Sequence, residues 1–298
     1  MASHGILLVD KPGGLTSHDV VARVRRAFGT RKVGHAGTLD PAATGLLVIG
    51  IEGATRLLTY IVGADKTYTA TIRLGARTTT DDADGEITET AEPAAWDAVD
   101  ETAIRSGIRA LTGAISQIPS SVSAIKVAGK RAYDLVRAGE TVELAARAVT
   151  VSRFELLAQR RADERFLDLD VVVDCSSGTY IRALARDLGD ALGVGGHLTA
   201  LRRTRIGGFD VADAVTLEQL DEAATVTPAE AAARVMPVLH VTADEARDLR
   251  HGKRLTGQRD RLEAAEVAGI DPEGLLVGIL EARGHDIKSA MNMPEVQA

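Results

Sequence analysis

The sequence predicts a mixed α+β fold with a largely antiparallel sheet, followed by a small barrel-like module at its C-terminal end. Segments of period-two and helical spacing alternate irregularly, without repeated βαβ units, so a doubly wound parallel sheet is not expected. The chain has 298 residues, enough for one large domain and one small domain. An Ala-rich stretch ends at Met236-Pro237, which places the boundary near residue 235 and predicts domains 1–235 and 236–298.

Hydrophobic spacing and turn residues place the individual elements. Strands are predicted at residues 5–10, 46–51, 67–74 and 167–173, and helices at 17–28, 96–111 and 181–192. The first of these helices has two candidate caps, Thr16 and Ser17. Residues 34–45 and 81–93 are predicted to be loops, and residues 117–148 an excursion from the core.

The net charge of -7 argues mildly against nucleic acid, but its distribution is uneven. Residues 81–101 hold nine acidic side chains and no Lys or Arg. If this acidic segment is a loop remote from the basic faces, a positive groove can persist elsewhere. The alternative is that each basic cluster is only a solvated face. The basic clusters are Arg23, Arg25, Arg26, Arg31 and Lys32; Lys126, Lys130, Arg131 and Arg137; and Arg202, Arg203 and Arg205.

The cysteine count and the apolar runs bear on the compartment. Cys175 is the one cysteine, so no internal disulfide and no zinc cluster are expected, and a buried thiol is favoured over a reactive one. The apolar run 6–9 is too short for a signal peptide, and no run approaches the ~20 residues that span a bilayer. We expect a cytoplasmic protein.

The Gly-rich segment 34–45 contains His35 and Asp40, and glycines let a ligand approach a backbone closely. It lacks the Gly-Lys-Ser/Thr ending of a Walker loop and is not a dinucleotide fingerprint. From the residues alone, two interpretations remain open. Asp40 is either a turn residue bonded to nearby amides or a reactive carboxylate, and functional residues concentrate on such loops.

Three further side chains qualify as partners of a reactive carboxylate. An ionised carboxylate in a dry pocket needs a cation, and Arg182 at the start of a predicted helix can supply one, with Tyr180 beside it. Tyr68 lies on the apolar face of its strand and can stack on a nucleobase, which is worth about 1–3 kcal/mol. The alternatives are a solvent-facing helix arginine and a core tyrosine whose hydroxyl has a hydrogen-bond partner.

Five blocks, in order, resemble the TruB family, the bacterial synthases that make pseudouridine 55 in the TΨC loop of tRNA. The similarity covers most of residues 5–210. The blocks are LVDKPGGLTS at 8–17; GHAGTLDPAATG at 34–45; KTY at 66–68; IP at 118–119 with SAIK at 123–126 and AY at 132–133; and SGTYIR at 177–182.

The resemblance implies a pseudouridine synthase fold and assigns roles to the site residues. Asp40 matches the catalytic aspartate, and Arg182 matches the arginine that pairs with it. Tyr68 matches the tyrosine that packs on the target base, while Tyr180 and Leu201 match residues that line the pocket.

The same resemblance assigns roles outside this pocket. His35 matches a histidine that occupies the space left in the RNA when the base flips out. Lys11-Pro12 matches a block that supports the active-site loop. Residues 120–148 match a thumb-like insertion that clamps RNA. Residues 236–298 resemble a PUA-like RNA-binding domain of β-barrel type.

The implied reaction isomerises uridine 55 of the TΨC stem-loop of tRNA, and its stoichiometry calls for no cofactor, metal, ATP or redox step. We expect a monomer with tRNA as its partner, no obligatory protein partner and no membrane. A non-catalytic RNA-binding protein or tRNA-folding chaperone is one alternative, and a guide-RNA-dependent pseudouridine synthase is another. A glycosidase is more distant, because it would normally need a second catalytic carboxylate.

Overall fold

The computed structural model describes residues 4–120, 126–127, 130–131 and 144–294, so the insertion predicted at 120–148 lies largely outside the described residues. In these ranges, no helix combines the length and the apolar character that crossing a membrane requires. The helices are α1 (Ser17–Ala27), α2 (Leu58–Val62), α3 (Glu101–Ala110), α4 (Ile181–Ala191), α5 (Pro228–Ala233) and α6 (Ala243–Arg250).

The strands follow the same irregular alternation with the helices. They are β1 (Gly5–Lys11), β2 (Val33–Ala36), β3 (Thr44–Ile51), β4 (Lys66–Leu74), β5 (Ala76–Thr78), β6 (Ile87–Thr90), β7 (Gly113–Gln117), β8 (Lys126–Val127), β9 (Lys130–Arg131), β10 (Arg147–Arg161), β11 (Leu167–Cys175), β12 (Gly196–Ile206), β13 (Phe209–Asp210), β14 (Val238–His240), β15 (Glu266–Ile270), β16 (Leu276–Arg283) and β17 (Asp286–Asn292). Their mostly antiparallel pairing confirms the predicted mixed α+β class.

The chain forms two compact units, one of Met1–Ala64 with Arg205–Ala298 and one of Asp65–Thr204. In the first unit, β1 and β2 both pair with β3 in antiparallel register. Helix α1 begins as predicted, because Thr16 and Asp19 form a reciprocal capping box. The helix buries an apolar stripe that includes Val20 and Val24 against the apolar side chains of β1 and β3.

The C-terminal part of the first unit holds a four-stranded sheet in the order β14-β15-β16-β17. Its β14–β15 pair is parallel and its other pairs are antiparallel. Helix α6 packs on this sheet through Ala246 and Leu249, which share an apolar cluster with Val277 and Ile287. Closure of these strands into a barrel stays a prediction, as does the domain boundary at residue 235.

In the second unit the strands lie in the order β12-β4-β11-β10-β7. Strand β4 alternates strictly between buried and half-buried residues, which confirms the strand predicted at 67–74. Its half-buried face makes cross-strand bonds with acidic residues of β11. These bonds join Thr67 to Asp174, Thr71 to Asp170 and Arg73 to Asp168.

Some predictions of local structure are wrong. The loop expected at 81–93 contains β6, which pairs with β5 in antiparallel register. The loop expected at 34–45 starts later, because residues through Ala36 pair with β3 as part of β2. Helix α3 is shorter than the predicted 96–111, because Asp100 caps it by accepting a hydrogen bond from the Ala103 N–H at 2.7 Å. A 3₁₀ turn, Pro93–Ala98, takes the place of its first predicted turn.

Candidate active site

In the first unit, the segment 37–43 joins β2 to β3 and carries Asp40. Gly37 has a φ of +85°, a conformation that glycine adopts without strain. Leu39 and Ala43 are buried and anchor the segment, whereas Asp40 between them is half-buried. The hairpin connection therefore presents Asp40 from a fixed backbone.

Lys11 holds the backbone on the C-terminal side of Asp40. Its ammonium group is buried and donates to the carbonyl oxygens of Pro12 at 2.9 Å, Leu15 at 2.7 Å and Pro41 at 3.0 Å. These three acceptors match the three donors of an ammonium group. The contact with Pro41 gives Lys11 the loop-supporting position that the family resemblance implies for it.

Ser17 holds the backbone on the N-terminal side of Asp40. Its hydroxyl accepts the N–H of Leu39 at 2.9 Å and lies 3.2 Å from the carbonyl oxygen of the same residue. The sequence offered Ser17 only as a candidate helix cap, and Thr16 fills that role. Both neighbours of Asp40 are thus fixed by buried side chains.

His35 lies on β2, where it is paired with Ile49 and half-buried. Its ring meets the ring of His18 edge to face, with centroids 5.5 Å apart and an interplanar angle of 84°. His18 is exposed on the first turn of α1. The sequence alone does not mark His18 as functional, because one histidine on an amphipathic helix carries no functional signal.

In the second unit, three predicted site residues belong to β4 and to the helix that follows β11. Cys175 ends β11 opposite Lys66, at the same end of β4 as Tyr68. A short turn then leads to Tyr180, the N-cap of α4, and to Arg182 in its first turn. The sheet end that carries Tyr68 is therefore also the end at which α4 begins.

Tyr68 and Leu201 come from neighbouring strands of this unit. Tyr68 lies on the buried face of β4 and Leu201 is half-buried on β12. Thr204 donates to the carbonyl oxygen of Thr67 at 3.3 Å, so this part of β12 runs beside the Tyr68 end of β4. Of the predicted site residues, His35 and Asp40 lie in the first unit, and Tyr68, Tyr180, Arg182 and Leu201 lie in the second.

Arg182 is buried, with 6% of its surface exposed, which excludes a solvent-facing helix arginine. Its Nη1 atom donates to the carbonyl oxygen of Thr80 at 2.8 Å and lies 3.4 Å from Oδ2 of Asp82. A buried guanidinium group needs such partners, because desolvation of an unpaired charge is costly. Asp82 therefore joins the candidate site through Arg182.

The first residues of the acidic segment contradict the expectation of a loop remote from basic side chains. Asp82 pairs with Arg182, and Oδ2 of Asp81 lies 3.1 Å from Nη1 of Arg186. The Asp81 carbonyl oxygen also accepts the N–H of Leu198 on β12 at 3.0 Å. These contacts could not be predicted from local sequence patterns, because the paired residues lie about a hundred positions apart.

Two buried groups near this sheet end have shifted pKa values. Burial, with a smaller contribution from the charge of Arg203, lowers the pKa of the Lys66 ammonium group to about 8. Burial raises the pKa of the Cys175 thiol to about 11. Cys175 is 1% exposed, which confirms the prediction of a buried thiol.

Family models match the chain along most of its length. Residues 25–181 match the TruB family pseudouridylate synthase N-terminal domain. Residues 182–240 match the tRNA pseudouridylate synthase B C-terminal domain, and residues 236–294 match the C-terminal region of tRNA pseudouridine synthase II.

Curated relatives and solved structures agree with these matches. A protein of Leifsonia xyli named tRNA pseudouridine synthase B is 62% identical over 99% of this chain and 98% of its own length. A protein of Corynebacterium diphtheriae with the same name is 53% identical over 95% and 94%. The structure of an archaeal box H/ACA sRNP Nop10-Cbf5 complex contains a chain that is 26% identical, with a TM-score of 0.72 and coverage of 98% and 87%.

The N-terminal family model alone spans more than half of the 298 residues, and the two relatives align over nearly their whole length. Asp40 lies in the part of the chain that the N-terminal family model matches, and Arg182 lies in the part that the next model matches. The chain therefore belongs to the TruB family of pseudouridylate synthases, which are isomerases.

Proposed function

We propose that this chain converts uridine 55 to pseudouridine in the TΨC stem-loop of tRNA, with Asp40 as the reacting carboxylate. The observation that carries the proposal is the name tRNA pseudouridine synthase B, borne by relatives that are 53–62% identical over nearly their full length. Position 55 rests on the resemblance of five ordered blocks, within residues 5–210, to the TruB family. We further propose that the protein acts alone, as a cytoplasmic monomer.

The reaction breaks the N1–C1′ bond of uridine, turns the uracil and joins C5 to C1′. The proton leaves C5 and N1 gains one, so atoms balance without an oxidant or reductant. The base must first leave its stack, which costs a few kcal/mol. Three first steps suit a carboxylate: attack on C1′, attack on the uracil ring, or removal of the C2′ proton.

Asp40 is suited to this role because its loop is fixed before substrate binds. Lys11 and Ser17 hold the residues on either side of it, so little ordering remains for the reactive complex. In the proposal Tyr68 packs on the flipped base, Tyr180 and Leu201 line its pocket, and Arg182 supplies the cation of the site. His35 occupies the space that the base leaves in the RNA.

The test is to incubate purified protein with unmodified tRNA and to map pseudouridine by position. We expect modification at position 55, with release of tritium from tRNA labelled at C5 of uridine. Asp40→Asn should fold, bind tRNA and give no detectable turnover. Normal turnover by Asp40→Asn would end the assignment of the reacting carboxylate.

A second candidate is a guide-RNA-dependent synthase, favoured by the similarity to chains of H/ACA ribonucleoproteins at TM-scores of 0.71 and 0.72. Those chains are only 24–26% identical to this one. Turnover on tRNA by the purified protein, without added RNA or protein, separates the two candidates. A tRNA-folding chaperone would instead keep its effect in Asp40→Asn.

A further inference from the structure

Gln117, the last residue of β7, forms two hydrogen bonds with the backbone of Tyr180. Its Nε2 atom donates to the Tyr180 carbonyl oxygen at 3.0 Å, and its Oε1 atom accepts the Tyr180 N–H at 2.8 Å. A primary amide offers a donor and an acceptor side by side, as the backbone does. Gln117 is 1% exposed, so this pair of bonds is shielded from water.

Tyr180 marks the point at which α4 begins. Tyr180 is the N-cap of α4 and makes no side-chain capping bond of its own. Its carbonyl oxygen also accepts the N–H of Leu184 at 3.2 Å, the first bond of the helix. Gln117 therefore fixes the start of the turn that carries Arg182.

A second contact joins α4 to the residue that follows Gln117. Arg186 lies one turn beyond Arg182, and its Nη2 atom donates to the carbonyl oxygen of Ile118 at 2.7 Å. The same guanidinium group lies 3.1 Å from Asp81. Two consecutive residues, 117 and 118, are thus tied to the first two turns of α4.

These contacts lie where the insertion leaves the sheet and returns to it. Gln117 is paired with Arg147 across β7 and β10, so the insertion predicted at 120–148 leaves the sheet after residue 117 and returns to it at residue 147. The amide of Gln117 consequently connects three features: the two ends of the insertion and the first turn of α4.

We propose that Gln117 is a positioning residue for the reaction, and the proposal rests on the proposed function above. Through the backbone of Tyr180 it sets the placement of the Tyr180 ring and of the Arg182 guanidinium group. It also ties both groups to the ends of the insertion. Its chemical role is to supply one donor and one acceptor, and it does not touch the substrate.

Gln117→Met tests the proposal, because Met has a similar length and neither donor nor acceptor. The single-turnover rate on saturating unmodified tRNA should fall by roughly 10- to 100-fold, since a misplacement of about 1 Å has such effects. The Kd for tRNA should stay within about twofold, because the contact serves the reacting arrangement. Gln159→Met is the matched control, the same change at an exposed residue of the same unit.

Gln117→Glu adds a signature that a merely structural role would not produce. A protonated carboxyl reproduces the donor and the acceptor, whereas an ionised one faces the Tyr180 carbonyl oxygen without a donor. Burial raises the pKa of such a carboxyl. The rate of this variant relative to wild type should therefore rise as the pH falls from about 8 to about 6, and the ratio for Gln117→Met should stay flat.

The outcomes separate this inference from the proposed function. Wild-type protein that leaves tRNA unmodified overturns the proposed function and the positioning role with it. Active wild-type protein, with Gln117→Met as fast as Gln159→Met, overturns the positioning role alone. The positioning role alone is also overturned if the rate of Gln117→Glu relative to wild type does not change with pH and a lowered melting temperature of the variant accounts for its lost rate.

Discussion

Two carboxylates at the start of the acidic segment bind arginines of α4. Asp82 lies 3.4 Å from Arg182, whose guanidinium group is buried, and its own side chain is 18% exposed. Because both partners are largely shielded from water, their pairing fixes the orientation of Arg182 more firmly than a surface ion pair would. The acidic segment therefore contributes to the candidate site.

Asp82→Asn should keep the fold and lower the single-turnover rate by about 10- to 100-fold, because the ion pair between Asp82 and Arg182 is lost and the guanidinium group shifts. The unfolding free energy should fall by about 1–3 kcal/mol, the usual cost of a weakened buried polar contact. Single-turnover kinetics and denaturant unfolding measure the two effects. Asp84→Asn, an exposed change two residues away, is the control, and equal rates for both variants would contradict the role of Asp82.

Cys175 should be nearly unreactive in the native protein. Burial raises its thiol pKa from 9.0 to about 11, so at pH 8 the native thiolate fraction is about 100-fold below that of the unfolded chain. Because the folded pKa lies above the unfolded value, this group favours the unfolded state as the pH rises from about 9 to about 11. A coloured thiol reagent at pH 8 should react rapidly only in denaturant; complete reaction of native protein within seconds would contradict the burial.

At the scale of elements, the connection between β2 and β3 depends on one buried lysine. Lys11 satisfies three carbonyl oxygens, and one of them, on Pro41, adjoins Asp40. Its removal would take one donor from each of these carbonyl oxygens, and the oxygen of Pro41 would keep only the N–H of Gly14 at 2.8 Å. The loop would then lose its fixed backbone as well as stability.

Lys11→Met should lower the unfolding free energy by about 2–4 kcal/mol and slow the single-turnover rate in the same protein. Denaturant unfolding and single-turnover assays measure the two effects. Lys32→Met is the matched control: its side chain is 78% exposed and 3.5 Å from Glu52. That surface change should stay within about 0.5 kcal/mol, and a similar loss in both variants would mean that Lys11 contributes no more than a surface ion pair.

The sequence predicts elements whose signal is local. The alternation of 67–74 is a property of that segment alone, and it predicts β4 because both faces of the strand are distinct. Thr16, one of the two candidate caps, likewise marks the start of α1, where it forms a capping box with Asp19. Strand β2 has no such signal, since four residues that include Gly34 and His35 become a strand only by pairing with β3.

The residues of the candidate site also differ in whether their signal in the sequence is local. Asp40 and Lys11 belong to motifs that can be read along the chain, whereas the partners of α4 come from distant segments. Gln117 is separated from Tyr180 by 63 positions, and the Thr80 carbonyl from Arg182 by 102. Contacts of that kind are set by strand register, which a single sequence does not specify.

For the whole molecule, the net charge of -7 is a poor guide to RNA binding. Part of the negative charge is paired internally, as between Asp168 and Arg73 at 2.8 Å and between Asp81 and Arg186 at 3.1 Å. Exposed arginines of α1 remain on the outer face of that helix. A field of mixed sign can therefore attract a polyanion locally despite the total.

The tRNA affinity should accordingly fall steeply with salt, because each phosphate contact releases a counterion. We expect the double substitution Arg23→Gln with Arg26→Gln, on the exposed face of α1, to reduce the slope of log K against log salt by about 2. Arg105→Gln with Arg109→Gln on α3 is the matched control, since both arginines are exposed and lie outside the basic clusters. Filter binding over a salt series measures the slopes. Equal slopes for the two double variants would mean that the α1 arginines form only a solvated face. A tRNA affinity of the wild type that does not change with salt would mean that electrostatic attraction contributes nothing to the proposed tRNA binding.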